Sequence, residues 1–343
     1  MFWILGLHSA LESLLKAFAP QSGITQALCT QFTHVGWEGF HFYDLIFPLF
    51  VFLAGVSSAI ALPRRVERDG MPSAVCHIAQ RGALLFALGV FYNGGLERGL
   101  EHVRWMGVLQ RIGIASACAG FLSLRLSNRM LAVVCGGILL GYALPFYWIP
   151  VPGTGVTGFA EGNNIANYVD SICLPGRLHA KTWDPEGLLS TLPAVATALI
   201  GVLAGRWITS EPCPRAVLRG LALGGIILLG AGFLWSPFFP IIKKIWTSSF
   251  VLWSAGWSAL LLAAFYGLMD LGGFRWWATP FLWIGSNPLL LYLLSGLGFF
   301  RGIASRLVPK NAVDAPWLLP LLTVGTLVVF ARWLYRNKIV VRI

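Results

Sequence analysis

The chain has 343 residues, of which 57% are hydrophobic and only 11% charged, with 15 Trp and a mean hydropathy of +0.72. A soluble globular domain would carry about 25% charged residues, so the composition excludes that class and predicts a polytopic membrane protein. The net charge of +11 is spread over short loops between apolar runs, which fits membrane orientation and not nucleic-acid binding.

Residues 2–19 read as a short first span with His8, Glu12 and Lys16 on one helical stripe. Met1 to Leu7 lack a basic n-region and a small-residue cleavage site, so no removable signal peptide is expected. Residues 20–42 read as a loop, followed by a charge-free span over 45–62 in which Pro48 is tolerated near the start. Arg64, Arg65, Arg68 and Arg81 are assigned to the next loop. Further spans are predicted over 82–97, 105–124, 130–148, 187–205, 216–235, 248–269, 277–297 and 316–335. The fold class is therefore all-α, a single integral domain over 1–343 with about ten transmembrane helices.

Lys and Arg set the orientation. With the N-terminus inside, inner segments from Arg64 to Arg342 hold fourteen of them, and outer segments, including Arg98, Arg104, Lys243, Lys244 and Lys310, hold nine. Both termini are then cytoplasmic, and His34, Glu38, Asp44 and the loop 149–186 face outward. That loop holds Gly153-Thr154-Gly155-Val156-Thr157-Gly158, a match to G-x-G-x-x-G with no strand before it or helix after it, so it reads as turn chemistry. Asp184-Pro185-Glu186-Gly187 is expected to open the sixth span, with Asp184 as N-cap; Glu186 is as readily part of that cap as catalytic.

Six cysteines form no C-x-x-C pair and the histidines no metal-ligand spacing, so no metal site is expected; a Cys29–Cys173 bridge stays open. Arg111 lies inside an apolar span, where a guanidinium needs a carboxylate or an anionic ligand. Asp44 is the expected partner. His34 has a Trp and a carboxylate within four residues, and its imidazole could take a proton from an amine or attack an acyl donor. Asn287 and Tyr292 place polar groups in the ninth span, for bonding between helices or for lining a solute path.

Taken together, these motifs resemble a known family. They are His34-x-x-Trp37-x-Gly39, Asp44-Leu45-Ile46-Phe47-Pro48-x-Phe50-x-Phe52-x-x-Gly55, Gly107-Val108-Leu109-Gln110-Arg111, Asn163 to Asp170, Asp184-Pro185-Glu186-Gly187, Lys243-x-x-Trp246-Thr247-x-Ser249, Asn287 and Leu334-Tyr335-Arg336-x-Lys338-Ile339. In this order they are similar to the heparan-α-glucosaminide N-acetyltransferase family and its bacterial members. The Ser-Leu-Asp-x-x-Arg-Gly run usual before the first span is absent, and Glu38 replaces a neutral amide. The resemblance implies a transmembrane acyltransferase carrying the acetyl group of cytosolic acetyl-CoA to the amino group of glucosamine or a related amino sugar on the outer face. It implies catalysis by His34 with Asp44, and substrate or acyl-CoA binding at Trp37, Gln110, Arg111, Glu186, Lys243, Trp246 and Asn287, without metal. A bacterial inner membrane is the expected location, and the partners are acetyl-CoA, the amino sugar, the lipid bilayer and a second copy in a homodimer, with no nucleic acid. Two rival readings remain, an amino-sugar transporter and a structural membrane scaffold.

Overall fold

Hydrocarbon offers a backbone no hydrogen-bonding partners, so apolar runs must close their own bonds as helices. The computed structural model describes residues 3–19, 21–95, 99–309 and 315–341, and Arg98, Lys310 and Arg342 of the orientation count lie outside them. Among the described residues there is no strand, only isolated bridges at Arg104–Gly176 and Ala160–Asn163. Six segments are long and apolar enough to cross a membrane: Phe42–Tyr92, Asn128–Trp148, Thr191–Ser210, Pro214–Trp235, Ser248–Leu271 and Leu318–Arg336. A bent pair, Pro288–Gly296 and Phe299–Leu307 at 64°, makes a seventh if counted as one span. The chain is an all-helical, multi-pass membrane protein.

The helices are α1 (His8–Phe18), α2 (Gly23–Gln31), α3 (Ile46–Tyr92), α4 (Val108–Arg125), α5 (Asn128–Trp148), α6 (Ile165–Cys173), α7 (Thr191–Ser210), α8 (Pro214–Trp235), α9 (Ser248–Tyr266), α10 (Thr279–Ser286), α11 (Pro288–Gly296), α12 (Phe299–Leu307) and α13 (Leu318–Arg336). Several depart from expectation. The 20–42 loop contains α2, and α3 runs on past Leu62 until Gly70 breaks it at φ 82°. Hydropathy marks the thickness of hydrocarbon, whereas a helix can continue into polar surroundings. Here Asp69, 2.8 Å from Arg68 and 3.9 Å from Arg65, supports that extension. The expected span 277–297 breaks at Asn287, because Pro288 lacks an amide and pushes the residue before it out of helical geometry.

The chain forms two compact units. One comprises Val35–Phe40 and Phe47–Leu271, with Val51, Leu199, Val202 and Phe250 in its core. Small residues allow its helices to touch backbone to backbone. A Cβ at Gly55 would overlap the Ala198 carbonyl, and one at Gly201 the Phe52 carbonyl, so α3 and α7 meet through glycine. The other unit comprises Met1–His34, His41–Ile46 and Gly272–Ile343, and buries Leu5, Ile284, Leu291, Phe300, Leu327 and Leu334. Within the loop 149–186, Gly153, Gly155 and Gly158 have positive φ, the turn chemistry expected of them, and all six cysteines are free.

Candidate functional site

A short helical turn, Phe42–Leu45, carries Asp44 just ahead of α3. Its backbone closes on His41: Asp44 N donates to the His41 carbonyl at 2.9 Å, and His41 N donates to Asp44 Oδ2 at 3.1 Å. The other carboxylate oxygen, Oδ1, lies 2.7 Å from His34 Nδ1. A carboxylate can only accept, so Nδ1 carries a proton, and in the neutral ring the lone pair is then on Nε2 at the opposite edge. Burial is divided sharply, with the His34 side chain 52% exposed and that of Asp44 2%. The His34 ring also packs 4.4 Å from that of Tyr43. A buried carboxylate holding an exposed imidazole in one tautomer is an arrangement suited to general-base or nucleophilic chemistry.

The unit that contains Phe47–Leu271 gathers charge around the 184–188 turn. Gly176, at φ 78°, brings its backbone against Val103, where any Cβ would overlap the Val103 carbonyl, and Arg177 N donates to that carbonyl at 3.0 Å. This fixes Arg104. Its Nε and Nη2 donate to Asp184 Oδ2 and Oδ1 at 2.8 and 2.6 Å, and Nη2 also donates to Glu186 Oε2 at 2.6 Å. Burial alone would raise Asp184, but the Arg104 guanidinium outweighs it and holds the carboxyl below the usual range. Asp184 is therefore an ion-pair partner and not the expected cap: α7 starts at Thr191, behind Ser190. Asp170 braces the same turn from α6, accepting from Leu188 N at 2.9 Å and Asp184 N at 3.4 Å. A Cβ at Gly187 would overlap the Asp170 carboxyl, so a larger residue there would push that carboxyl off the turn. Burial pushes Asp170 up to about 7.

Gln110 and Arg111 follow in the first helical turn of α4, and both are fully buried. Arg111 donates through Nη2 to Ser190 Oγ and, at 3.3 Å, to the Gly187 carbonyl, and its guanidinium lies 4.9 Å from the Trp246 ring centre. Among the described residues of its own unit no carboxylate pairs with Arg111, and Asp44, the expected partner, belongs to the other unit, where it is held by His34 and the His41 amide. Trp246 reaches its place through a left-handed backbone at φ 52°, a conformation that costs a non-glycine residue about 1–3 kcal/mol. The turn is held by Trp246 N on the Lys243 carbonyl at 2.9 Å and by Thr247 and Ser249, whose hydroxyls donate to the Pro240 carbonyl at 2.8 and 3.0 Å. The indole Nε1 donates to Thr197 at 3.1 Å. Lys243, half-buried, belongs to this turn.

Trp37 Nε1 donates to the Phe159 carbonyl at 2.8 Å, and its ring meets the edge of Trp183 at 5.5 Å. Lys244 caps both rings and pairs with Glu161 at 3.3 Å. Asn287 proves to be a fastening point: Nδ2 donates to the Ile339 carbonyl and Oδ1 accepts from Val341 N, each at 2.8 Å. Of the expected site residues, the structure thus joins His34 with Asp44 in one unit and Arg111 with Trp246 in the other. Glu186 joins Arg104 there. The sequence reading missed Arg104, Asp170 and Ser190. One signal was available for Arg104, a basic residue at the mouth of an apolar span, on the side that the Lys and Arg count reads as outer and where such residues are disfavoured.

These features define a multi-pass helical membrane protein with an exposed His–Asp dyad and a buried arginine cluster. No protein-family model matches the chain. It is 27% identical to human heparan-alpha-glucosaminide N-acetyltransferase over 76% of this chain and 48% of that protein, and equally to the mouse enzyme of the same name, again 27% over 76% and 48%. The chain is thus similar to these two N-acetyltransferases and spans about half the length of each.

Proposed function

We propose that the chain is one transmembrane acyltransferase domain that moves the acetyl group of cytosolic acetyl-CoA to the amino group of glucosamine or a related amino sugar on the outer face. The observation that carries this reading is the 2.7 Å contact between His34 Nδ1 and the buried Asp44 carboxylate. His34 Nε2 takes a proton from the sugar ammonium, the amine attacks the thioester carbonyl, and the new C–N bond replaces the C–S bond. CoA leaves as the thiol, and one proton is released overall. Asp44 orients the imidazole and stabilises its cationic form. Trp37, Gln110, Arg111, Glu186, Lys243 and Trp246 serve substrate and acyl-CoA binding, and Asn287 positions the C-terminal tail.

The same reading sets about ten spans with both termini cytoplasmic in a bacterial inner membrane. It draws on the bias of Lys and Arg and on the break at Gly70, which divides α3 into two arms. The acceptor would come from chitin or cell-wall turnover, and the assembly would be a homodimer. The test is transfer from labelled acetyl-CoA to glucosamine by the purified protein in lipid, beside His34→Ala. Product from the wild type, lost in the variant, is the expected result; absence of product from intact wild type would refute the reading. Transport is the rival, and it draws on the 64° break between α11 and α12. Uptake of labelled amino sugar without acetyl-CoA would favour it.

A further inference from the structure

Two adjacent buried side chains in the first turn of α4 carry polar atoms that lack hydrogen-bond partners. Gln110 has none for Oε1 or Nε2, and Arg111 has none for Nε or Nη1, although neither residue is exposed at all. Native interiors rarely leave such groups unmet, and four atoms on consecutive residues call for a ligand. What they need can be read from their chemistry. Arg111 offers donors only, while Gln110 offers one donor group and one acceptor, the complement of an amide.

Charge balance selects among the possible ligands. Arg104 and Arg111 bring two positive charges; Asp184 and Glu186 answer with two negative ones, both placed on Arg104. Asp170 keeps its proton up to about 7, so the cluster is already close to neutral before any ligand arrives. An anion such as phosphate or carboxylate would pair with Arg111 but leave the cluster as a whole with net buried negative charge. An uncharged carbonyl or amide would satisfy the same donors at no such cost. The close fit around Gln110 points the same way, since a Cβ at Gly89 would overlap its carboxamide and one at Gly107 would come within 2.9 Å of Oε1. Glycine at these positions lets the backbone close on the Gln110 amide.

We propose that Gln110 and Arg111 bind the uncharged, amide-bearing pantetheine arm of the acyl donor through its carbonyl and amide groups, and take no part in holding its phosphates. This rests on the acyl-CoA reading above and assigns one portion of the donor to two named residues.

The test compares binding of CoA with that of its adenosine bisphosphate fragment, which lacks the arm, to the full chain in nanodiscs. Gln110→Met is the chosen variant, since it keeps the side-chain length and removes the buried amide. It should melt no lower than the wild type, because an unpartnered polar group has been replaced by an apolar one. Its Kd for CoA should rise about tenfold, the loss of one or two buried hydrogen bonds, with less than about a twofold change for the fragment. Arg111→Gln should show the same selectivity, and Arg111→Lys should not restore CoA binding, since an ammonium lacks the planar fork. A folded Gln110→Met that binds CoA as the wild type does, or that loses the fragment equally, overturns the assignment. Wild type that binds neither ligand removes the acyl-CoA reading and this inference together. Wild type that binds CoA with the predicted selectivity but transfers no acetyl group removes the transferase alone.

Discussion

The dyad and the arginine cluster spend their polar groups in opposite ways. His34 and Asp44 are ten residues apart, and one of them is half in solvent; Arg104 and its carboxylates are separated by about eighty residues, and all three are largely enclosed. An exposed imidazole contributes little to the fold and is available to a substrate. A buried guanidinium bound to two carboxylates contributes to the fold in proportion to what its loss would leave unpaired. The difference teaches where to look for chemistry and where for architecture: substitutions at the dyad should strike turnover first, and those at the cluster should strike stability first.

The largest effect is expected at His34. His34→Ala should lower acetyl transfer about 10²–10⁴-fold, the worth of a general base, with a melting temperature close to that of the wild type. A parallel fall in both would erase the distinction. Next comes Arg104→Ala, which strands Asp184 and Glu186 and should cost about 3–5 kcal/mol in reversible unfolding. A cost below about 1 kcal/mol would show that the cluster is no more than a surface pair. Asn287→Ala should release the segment Ile339–Val341 at a cost of about 1–3 kcal/mol, read as faster amide exchange in that tail.

A further effect concerns pH. Asp170 is raised in the folded chain, so the fold binds a proton that the unfolded chain gives up in the ordinary carboxylate range. Its contribution to stability is fully present at acid pH below that range and is lost as pH rises through about 7. Asp184 is lowered, so its contribution runs the other way and is lost only at strongly acid pH. Melting temperature should therefore fall between pH 5 and 8, and Asp170→Asn should flatten that fall. An unchanged slope in the variant would assign the pH dependence to another group.

Much of this molecule was legible in its sequence, for reasons that particular residues make plain. Apolar runs and scattered arginines declare a helical membrane protein, because a bilayer leaves a backbone few options. The pairing of His34 with Asp44 came with the family resemblance, whereas the residues by themselves put Glu38 beside His34 and gave Asp44 to Arg111. The Arg104–Asp184 pair was not legible, since it depends on Gly176 bringing one segment against Val103 and no local pattern records that approach. Asp184 looked like a cap because Asp before Pro satisfies the local rule, and a bidentate arginine outranked it. Pro288 announced the break at Asn287, but the hydropathy around it hid the signal. The close approach of Gly55 to Ala198 and of Gly201 to Phe52 was invisible for a simpler reason, as a glycine in an apolar helix looks the same whether it faces lipid or another backbone.

The most direct measurement of the central claim is sided transfer in sealed proteoliposomes, with labelled acetyl-CoA on one side and glucosamine on the other. The account predicts that N-acetylglucosamine accumulates in the glucosamine compartment while CoA thiol appears in the donor compartment, and that both signals vanish with His34→Ala. Product that forms only when both substrates share a compartment, or that persists in the variant, would contradict it.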